Sequence, residues 1–353
     1  MSIYVGVDVG GTTSTIAIGD EARNVIRISS QFPTRSLVGP EATVADIVQQ
    51  IAIELAAAGR SVDELHAVCL ATPGPATLDG VLMQTPNLDP SKWNRCPIRK
   101  MLQAAVTKSL KAVEVAYIGD GQAAAVGEYC IRTERIHWDQ LPPIPKPNQG
   151  GSEIDSLFFV AVGTGLGGGE VRAGLGVQGA QGRAGHAGHM LLPPFAFRYP
   201  HDQQLLVGNS MCTAESAISL TALTHQLGYR LTLPHWADHP LNQQDCSLRD
   251  KAKQLRELAA ESDPLAVELF EDQAKALGLV MLTINYMGDY DCLVIGGGVC
   301  EMSRGMRARY LDLVRESYEK HALDGFRKYE HIGFSVCGDN ASVIGALAQS
   351  YGV

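Results

Sequence analysis

The stretch VGVDVGGTTSTIAI at residues 5–18 constrains the chain more than any other. Apolar residues alternate up to a carboxylate, two glycines and two threonines follow, and the alternation resumes, which is the pattern of two β-strands joined at a glycine turn. Ile3 to Asp8 and Thr15 to Gly19 are predicted to form that hairpin. The device returns in AVGTGLGGGEV (Ala161 to Val171), where Leu157 to Val162 and Gly169 to Arg172 are the expected strands. A third glycine cluster, VIGGGVCEMS (Val294 to Ser303), reads as a strand from Cys292 to Ile295, a triple-glycine turn and a helix. Around these turns, helical periodicity at Val44 to Ala58 and Ile98 to Leu110 alternates with strands at His66 to Thr72 and Val113 to Gly119, the signature of an α/β lobe.

At 353 residues the chain suits two packed lobes, on a prior of roughly 100 to 200 residues per domain. Helices are expected at Met211 to Gln226, Leu248 to Glu261 and Pro264 to Met287. LPPIPKPNQGGSE (Leu141 to Glu153) reads as an exposed Pro-rich insertion. A net charge of -9 argues against a nucleic-acid backbone as the partner, because phosphate binding on that scale needs concentrated Lys and Arg. No apolar run approaches the roughly 20 residues of a membrane span, and MSIYVGVDVGG lacks the layout of an export signal, so the expected compartment is the cytoplasm. The eight cysteines stand singly, with no CxxC, as reduced and mostly structural thiols would.

Glycines let backbone N–H groups converge on an anion, and threonine hydroxyls add donors. A carboxylate beside such a turn repels phosphate unless a cation intervenes, so Asp8 next to Gly10, Gly11, Thr12 and Thr13 suggests Mg²⁺ or an Mg²⁺-nucleotide; a plain Gly-Gly hairpin is the alternative reading of the turn taken alone. Neither of the two later clusters matches GxxxxGK[ST], and GTGLGG runs into strand-like EVRAG rather than a helix, which excludes a dinucleotide fingerprint. In AYIGDGQAAAVGEY, Asp120 ends a strand and is expected as the N-cap of a helix of small residues. It could orient a substrate hydroxyl and take its proton, or simply cap the helix. Glu128 on the same helix reads as structural. GRAGHAGHM (Gly182 to Met190) holds two histidines three apart, open to a metal, a substrate or a structural reading.

Together these pieces resemble the ROK family (repressor, open reading frame, kinase), whose enzymes are sugar kinases of the actin-like ATPase superfamily. The resemblance rests on DVGGT, ATPGP (Ala71 to Pro75), TPNLDPSKW (Thr85 to Trp93), GDGQAAAVGE, GTGLGGG, the GH of Gly188 and His189, IGGGV and the closing GDNASVIGAL (Gly338 to Leu347). It implies a two-lobed actin-like ATPase (ribonuclease H-like) α/β fold with duplicated β-hairpin phosphate turns and an interdomain cleft. One lobe would hold 1–119 with 339–353, where the closing helix from Asn340 returns, and the other 120–338. It implies phosphorylation of a hexose, at the 6-OH of a glucose-like sugar, by Mg-ATP. Asp8 to Thr13 and Gly163, Thr164 and Gly165 would face the phosphates, Gly296, Gly297 and Gly298 would lie near the adenosine, and Asp120 would be the base. Asn87, in a segment that also includes Trp93, would border the sugar, and His189 and Glu215 match sugar-contacting positions. A homodimer is also compatible with the resemblance.

Two departures stand out. Gly119 occupies a position where the family usually has Asn, and GHAGH stands where the family has GExGH, so His186 replaces a sugar-binding glutamate. A carboxylate accepts two sugar O–H groups, whereas a neutral imidazole offers one donor and one acceptor. The family's structural zinc uses the GH histidine and CxCGxxGC, but GNSMCTAE keeps Cys212 alone, so that zinc is expected to be absent; a substitute set of His186, His189, His201 and Cys212 fits no zinc spacing. Other readings are a non-catalytic sugar- or nucleotide-binding protein and a sugar-responsive repressor. The repressor is disfavoured by the negative charge and by DVGGT beginning at residue 8.

Overall fold

The computed structural model describes residues 1–83, 85, 88–141, 154–327 and 331–352. In chain order the elements are β1 (Ile3–Val9), β2 (Thr13–Asp20), β3 (Val25–Ile28), β4 (Phe32–Pro33), α1 (Pro40–Ala57), β5 (Leu65–Thr72), α2 (Pro90–Trp93), α3 (Ile98–Ser109), β6 (Glu114–Gly119) and α4 (Asp120–Arg132). They continue with β7 (Leu157–Val162), β8 (Leu166–Arg172), β9 (Leu175–Gly176), α5 (Ala214–Ile218), α6 (Leu220–Arg230), α7 (Leu248–Lys253), α8 (Leu255–Ala260), α9 (Pro264–Gly288), β10 (Cys292–Gly297), α10 (Arg304–His321), β11 (Ile332–Phe334) and α11 (Ala341–Ser350). The first sheet has the order β3-β2-β1-β5-β6, with β4 on β2, and the second the order β11-β10-β7-β8-β9. The Pro-rich insertion lies outside the described residues apart from Leu141.

By packing, Met1–Phe159, Gly169–Gly185 and Val336–Val353 form one compact unit, and Val160–Gly168 with His186–Ser335 a second.

In the first unit, β1 pairs antiparallel with β2 and parallel with β5, and β5 pairs parallel with β6. The registers Asp8↔Ala71 and Thr72↔Gly119 bring the C-terminal ends of three parallel neighbours level. The period of two then divides β1 between two faces. Ile3, Val5, Val7 and Val9 are fully buried in one cluster with Ile47 and Ile51 of α1 and Leu102 and Val106 of α3. The intervening residues face α11: a side chain on Gly6 would run into the Leu347 backbone, and Tyr4 packs on Tyr351 with ring centroids 4.3 Å apart. Asp8 shares that second face.

Helix α11 lies on α4 at backbone-to-backbone distance. A Cβ on Gly345 would land on the carbonyl group of Ala123, and one on Gly127 would land on Ala341 O and Gly345 N. The run of small residues in α4 therefore serves a helix contributed by the C-terminal segment. Glu128, fully buried, accepts the N–H groups of Val336 (3.0 Å to Oε1) and Cys337 (3.3 Å to Oε2) and pairs with Arg132 at 2.7 Å, which is the structural role its sequence context indicated.

In the second unit α9 is buried around much of its circumference, which suits its nearly continuous apolar composition, and it packs along α10. Two helices expected to be single are interrupted. Residues 211–226 give α5 and α6, separated at Ser219, whose extended backbone (ψ 169°) ends one helix while its Oγ accepts Ala222 N–H at 3.0 Å to begin the next. Residues 248–261 divide into α7 and α8 at Gln254. No helix among the described residues is long and apolar enough to cross a membrane.

Gly345→Ala is expected to destabilise the protein by about 2 kcal/mol or more, because two backbones must separate to admit one methyl group. Gly305→Ala on α10, where a Cβ would meet open space, should instead be neutral or stabilising by up to about 1 kcal/mol. Urea midpoints of the two variants against the parent check both signs.

Candidate active site

The first unit assembles its chemistry at the ends of its parallel strands. At the tip of the β1–β2 hairpin, Gly10 N–H donates to Thr13 O at 2.8 Å and Thr12 O accepts Thr34 N–H at 2.8 Å. Among the described residues, the N–H groups of Gly11 and Thr12 and the hydroxyls of Thr12 and Thr13 make no protein hydrogen bond. The turn thus presents a set of unspent donors, as an anion-binding turn requires.

Asp8, at the end of β1, accepts one hydrogen bond from Ser342 Oγ of α11 at 2.8 Å. Burial pushes its carboxyl up to about 6, against the partial opposition of Ser342. Asp120 is the first residue of α4 rather than its N-cap. Gly119 holds the cap position with an extended backbone (ψ 147°), and Asp120 Oδ1 accepts Gly121 N–H at 2.7 Å. Burial, and then the charge of Asp8, push Asp120 up to about 7. Two carboxyls thus sit close enough to feel each other, and among the described residues no positive charge is named as compensating either. This is an arrangement able to take up a cation or a proton near neutral pH.

Of the expected sugar-bordering segment, Asn87 lies outside the described residues. Trp93 is fully buried and donates Nε1–H to Ser36 O at 2.8 Å, so this aromatic residue anchors the core of the first unit. Ser342 lies within GDNASVIGAL, and nothing local to that stretch signals that its hydroxyl meets Asp8. Gln122 likewise carries no local signal of its role. Its side-chain amide donates through Nε2 to Ala184 O.

In the second unit the turn between β7 and β8 is held by its neighbours. Leu220 N–H donates to Gly163 O at 2.9 Å, Thr221 Oγ1 donates to Thr164 O at 2.9 Å, and Leu166 N–H donates to Glu215 Oε2 at 2.8 Å. The turn's carbonyls are thereby spent on the start of α6, and the Glu215 carboxylate lies against Gly165. At the end of β10, Gly297 has φ +81° and backs onto the Val162 backbone, a combination open to glycine alone. Arg256 of α8 reaches Gly298 O at 2.9 Å and pairs with Glu301.

His186 precedes a short 3₁₀ turn, Ala187–His189, and the two imidazoles lie nearly parallel with centroids 6.3 Å apart. The segment after them closes on itself, with Leu192 N–H donating to Cys212 O and Ala214 N–H to Met190 O, each at 2.7 Å. Cys212 Sγ faces Gln203 O at 3.6 Å, and His201 stacks on His225 and Tyr229 with centroids 4.1 and 4.4 Å away. Among the described residues no group of three or more His, Cys, Asp or Glu could hold a metal. An arginine tethers this segment instead. Arg230 and Asp202, 0% and 1% exposed, pair at 3.1 Å, and Arg230 also reaches Asp272 at 2.9 Å and Glu268 at 3.1 Å. Arg198 adds a two-pronged contact to Asp272, both bonds 2.6 Å.

With this geometry in place, comparison with known proteins gives a consistent outcome. The chain matches the model of the ROK family over residues 4–140 and 147–350. It is 25% identical over 350 residues to a glucokinase of Streptomyces coelicolor, covering 98% of this chain and 96% of that one. It is also 25% identical over 299 residues to an N-acetyl-D-glucosamine kinase of Vibrio parahaemolyticus, 84% of each chain. Among solved structures, a ROK family glucokinase from Streptomyces griseus in complex with glucose and AMPPNP superposes with a TM-score of 0.73 at 25% identity, covering 100% of both chains.

The carboxyl pair has a consequence for stability. Asp8 and Asp120 bind protons more tightly in the folded chain (about 6 and about 7) than at their ordinary value of 3.8. The folded state therefore holds more protons than the unfolded one between pH 4 and 7, and their contribution to stability declines as pH rises through that window. Asp120→Asn is expected to raise the melting temperature of the ligand-free protein by about 2–4 °C at pH 8 and to change it little at pH 4. Scanning calorimetry at the two pH values checks the sign.

Proposed function

Since the chain belongs to the ROK family, a premise shown by a match over nearly its whole length, we propose that it is a sugar kinase transferring the terminal phosphoryl group of ATP to a hexose hydroxyl, the 6-OH of a glucose-like sugar. The observation that carries the reading is the Asp8–Asp120 pair beside a turn of unspent N–H and O–H donors. A base must hold its proton affinity near the working pH to accept a proton at one moment and release it at the next, and Asp120 at about 7 meets that condition.

In this reading the attacking hydroxyl is oriented by Asp120, which takes its proton as the oxygen bonds to phosphorus and ADP leaves. Gly10, Gly11, Thr12 and Thr13, and separately Gly163, Thr164 and Gly165, are assigned to the phosphates, and Gly296, Gly297 and Gly298 to the adenosine. Backbone N–H groups suit this task because they are oriented before the substrate arrives. His186, His189, Glu215 and Asn87 are assigned to the sugar. Glu215 would act partly through the turn it braces at Leu166.

Mg²⁺ fits the donors present. Asp8 is a hard oxygen ligand whose partner among the described residues is the Ser342 hydroxyl, and whose carboxyl burial pushes up; it would hold the ion indirectly, through water. When bound, the ion would neutralise charge on the β- and γ-phosphates.

Coupled ADP release across a panel of hexoses and amino sugars tests the activity. Asp120→Asn should lower kcat for the best sugar by at least about 100-fold. In the parent, kcat/KM should fall about tenfold per unit as pH drops below about 7, since the base must be unprotonated to act. Unchanged turnover by Asp120→Asn rejects the mechanism. His186→Glu, which exchanges an imidazole for a carboxylate able to accept two hydroxyls, should move the sugar profile toward glucose; an unaltered profile removes His186 from the sugar contacts.

A further inference from the structure

We infer that Gln122 is a sugar-binding residue: its side-chain oxygen accepts a hydrogen bond from a substrate hydroxyl beside Asp120, and Gly119 is glycine in order to admit it. This inference rests on the sugar-kinase reading above and names the residue that selects one hydroxyl.

Four observations carry it. Gln122 is 6% exposed, on the first turn of α4, two residues after Asp120. Its Nε2 donates to Ala184 O, and because a carbonyl oxygen can only accept, that contact identifies the amide's nitrogen end and leaves Oε1 pointing the other way. Among the described residues no group donates to Oε1. A Cβ built on Gly119 would collide with Oε1, so the oxygen occupies the space that a side chain on the residue before Asp120 would take.

Although the residue as a whole is buried, Oε1 is not a buried orphan but keeps access to solvent, as a ligand-facing acceptor must. Here one end is spent on Ala184 in the GRAGHAGHM segment, and the other is held, pre-oriented, at the strand end that carries the proposed base. An amide oxygen cannot donate, so the ligand group it suits is a donor, and the donors of a hexose are its hydroxyls. Fixing the acceptor through Nε2 removes the cost of ordering a long side chain on binding. It also makes the site intolerant of a sugar lacking that hydroxyl, because the oxygen would then lose water and gain nothing.

Two variants disturb Oε1 by different routes. Gln122→Ala deletes it. Gly119→Ala displaces it while keeping the glutamine, and since the colliding atom is the free end of a flexible side chain the fold should accommodate the methyl group. Titration calorimetry would measure binding of the hexose that the parent binds best, and of its monodeoxy analogues, to the parent and both variants, with kcat and KM from coupled ADP release. Both variants should bind the parent sugar about tenfold more weakly, and KM for the sugar should rise more than kcat falls. One deoxy analogue, discriminated against by the parent, should be bound no worse by Gln122→Ala than by the parent. If both variants bind the sugar within twofold of the parent, or if every deoxy analogue loses as much affinity in Gln122→Ala as in the parent, the inference is overturned and the kinase reading stands. Hexose binding without phosphate transfer would reject the kinase reading, while the same binding cycle still decides on Gln122. Binding of no hexose at all overturns the inference.

Discussion

The close approach of α4 and α11 is the constraint on which the first unit's chemistry depends. Gly345 and Gly127 let two helix backbones meet with no side chain between them. That contact fixes the start of α4, and with it Asp120, while the same α11 carries Ser342 to Asp8. One helix pair therefore sets both the position of the proposed base and the environment of the carboxylate beside it. A methyl group inserted there would shift groups whose usefulness depends on fractions of an ångström.

The electrostatics follow from the packing. Two buried carboxyls that accept, among the described residues, one hydroxyl and one backbone N–H are under-compensated, and both hold protons more tightly than in water. Folding tolerates that cost because the strands beneath are apolar and well buried. The same imbalance makes the corner receptive to a cation or to a substrate proton. Stability and proposed activity pull in opposite directions at one place, as they commonly do where a site is pre-organised.

The second unit handles its irregular segment with charge. Residues 190–214 carry little regular structure, and their ends pair through Leu192, Cys212, Met190 and Ala214. Their interior is tied down by Arg230, which gathers Asp202, Asp272 and Glu268. A buried guanidinium with several carboxylates is geometrically demanding, and such a cluster specifies one arrangement of the loop more than it adds stability. Among the described residues His186, His189, His201 and Cys212 do not come together as a metal-holding group; His201 lies in a ring stack and Cys212 against a carbonyl.

Much of this was legible in the sequence. Alternation around Gly-Thr turns marks both hairpins, because a period of two is local and needs no partner to be read. Asp8 at the end of a strand, and Asp120 just beyond one, were visible for the same reason. Helix boundaries failed where a single side chain intervened, as at Ser219, whose hydroxyl starts a new helix inside a continuous apolar pattern. What only the tertiary structure decided is which distant groups complete each local feature. Ser342 meets Asp8 across 334 positions, Glu128 is satisfied by Val336 and Cys337, and Gln122 fills the space beside Gly119 while holding Ala184. The physical reason is that periodicity assigns a residue to a face, whereas the atom waiting on that face is set by how the chain closes on itself.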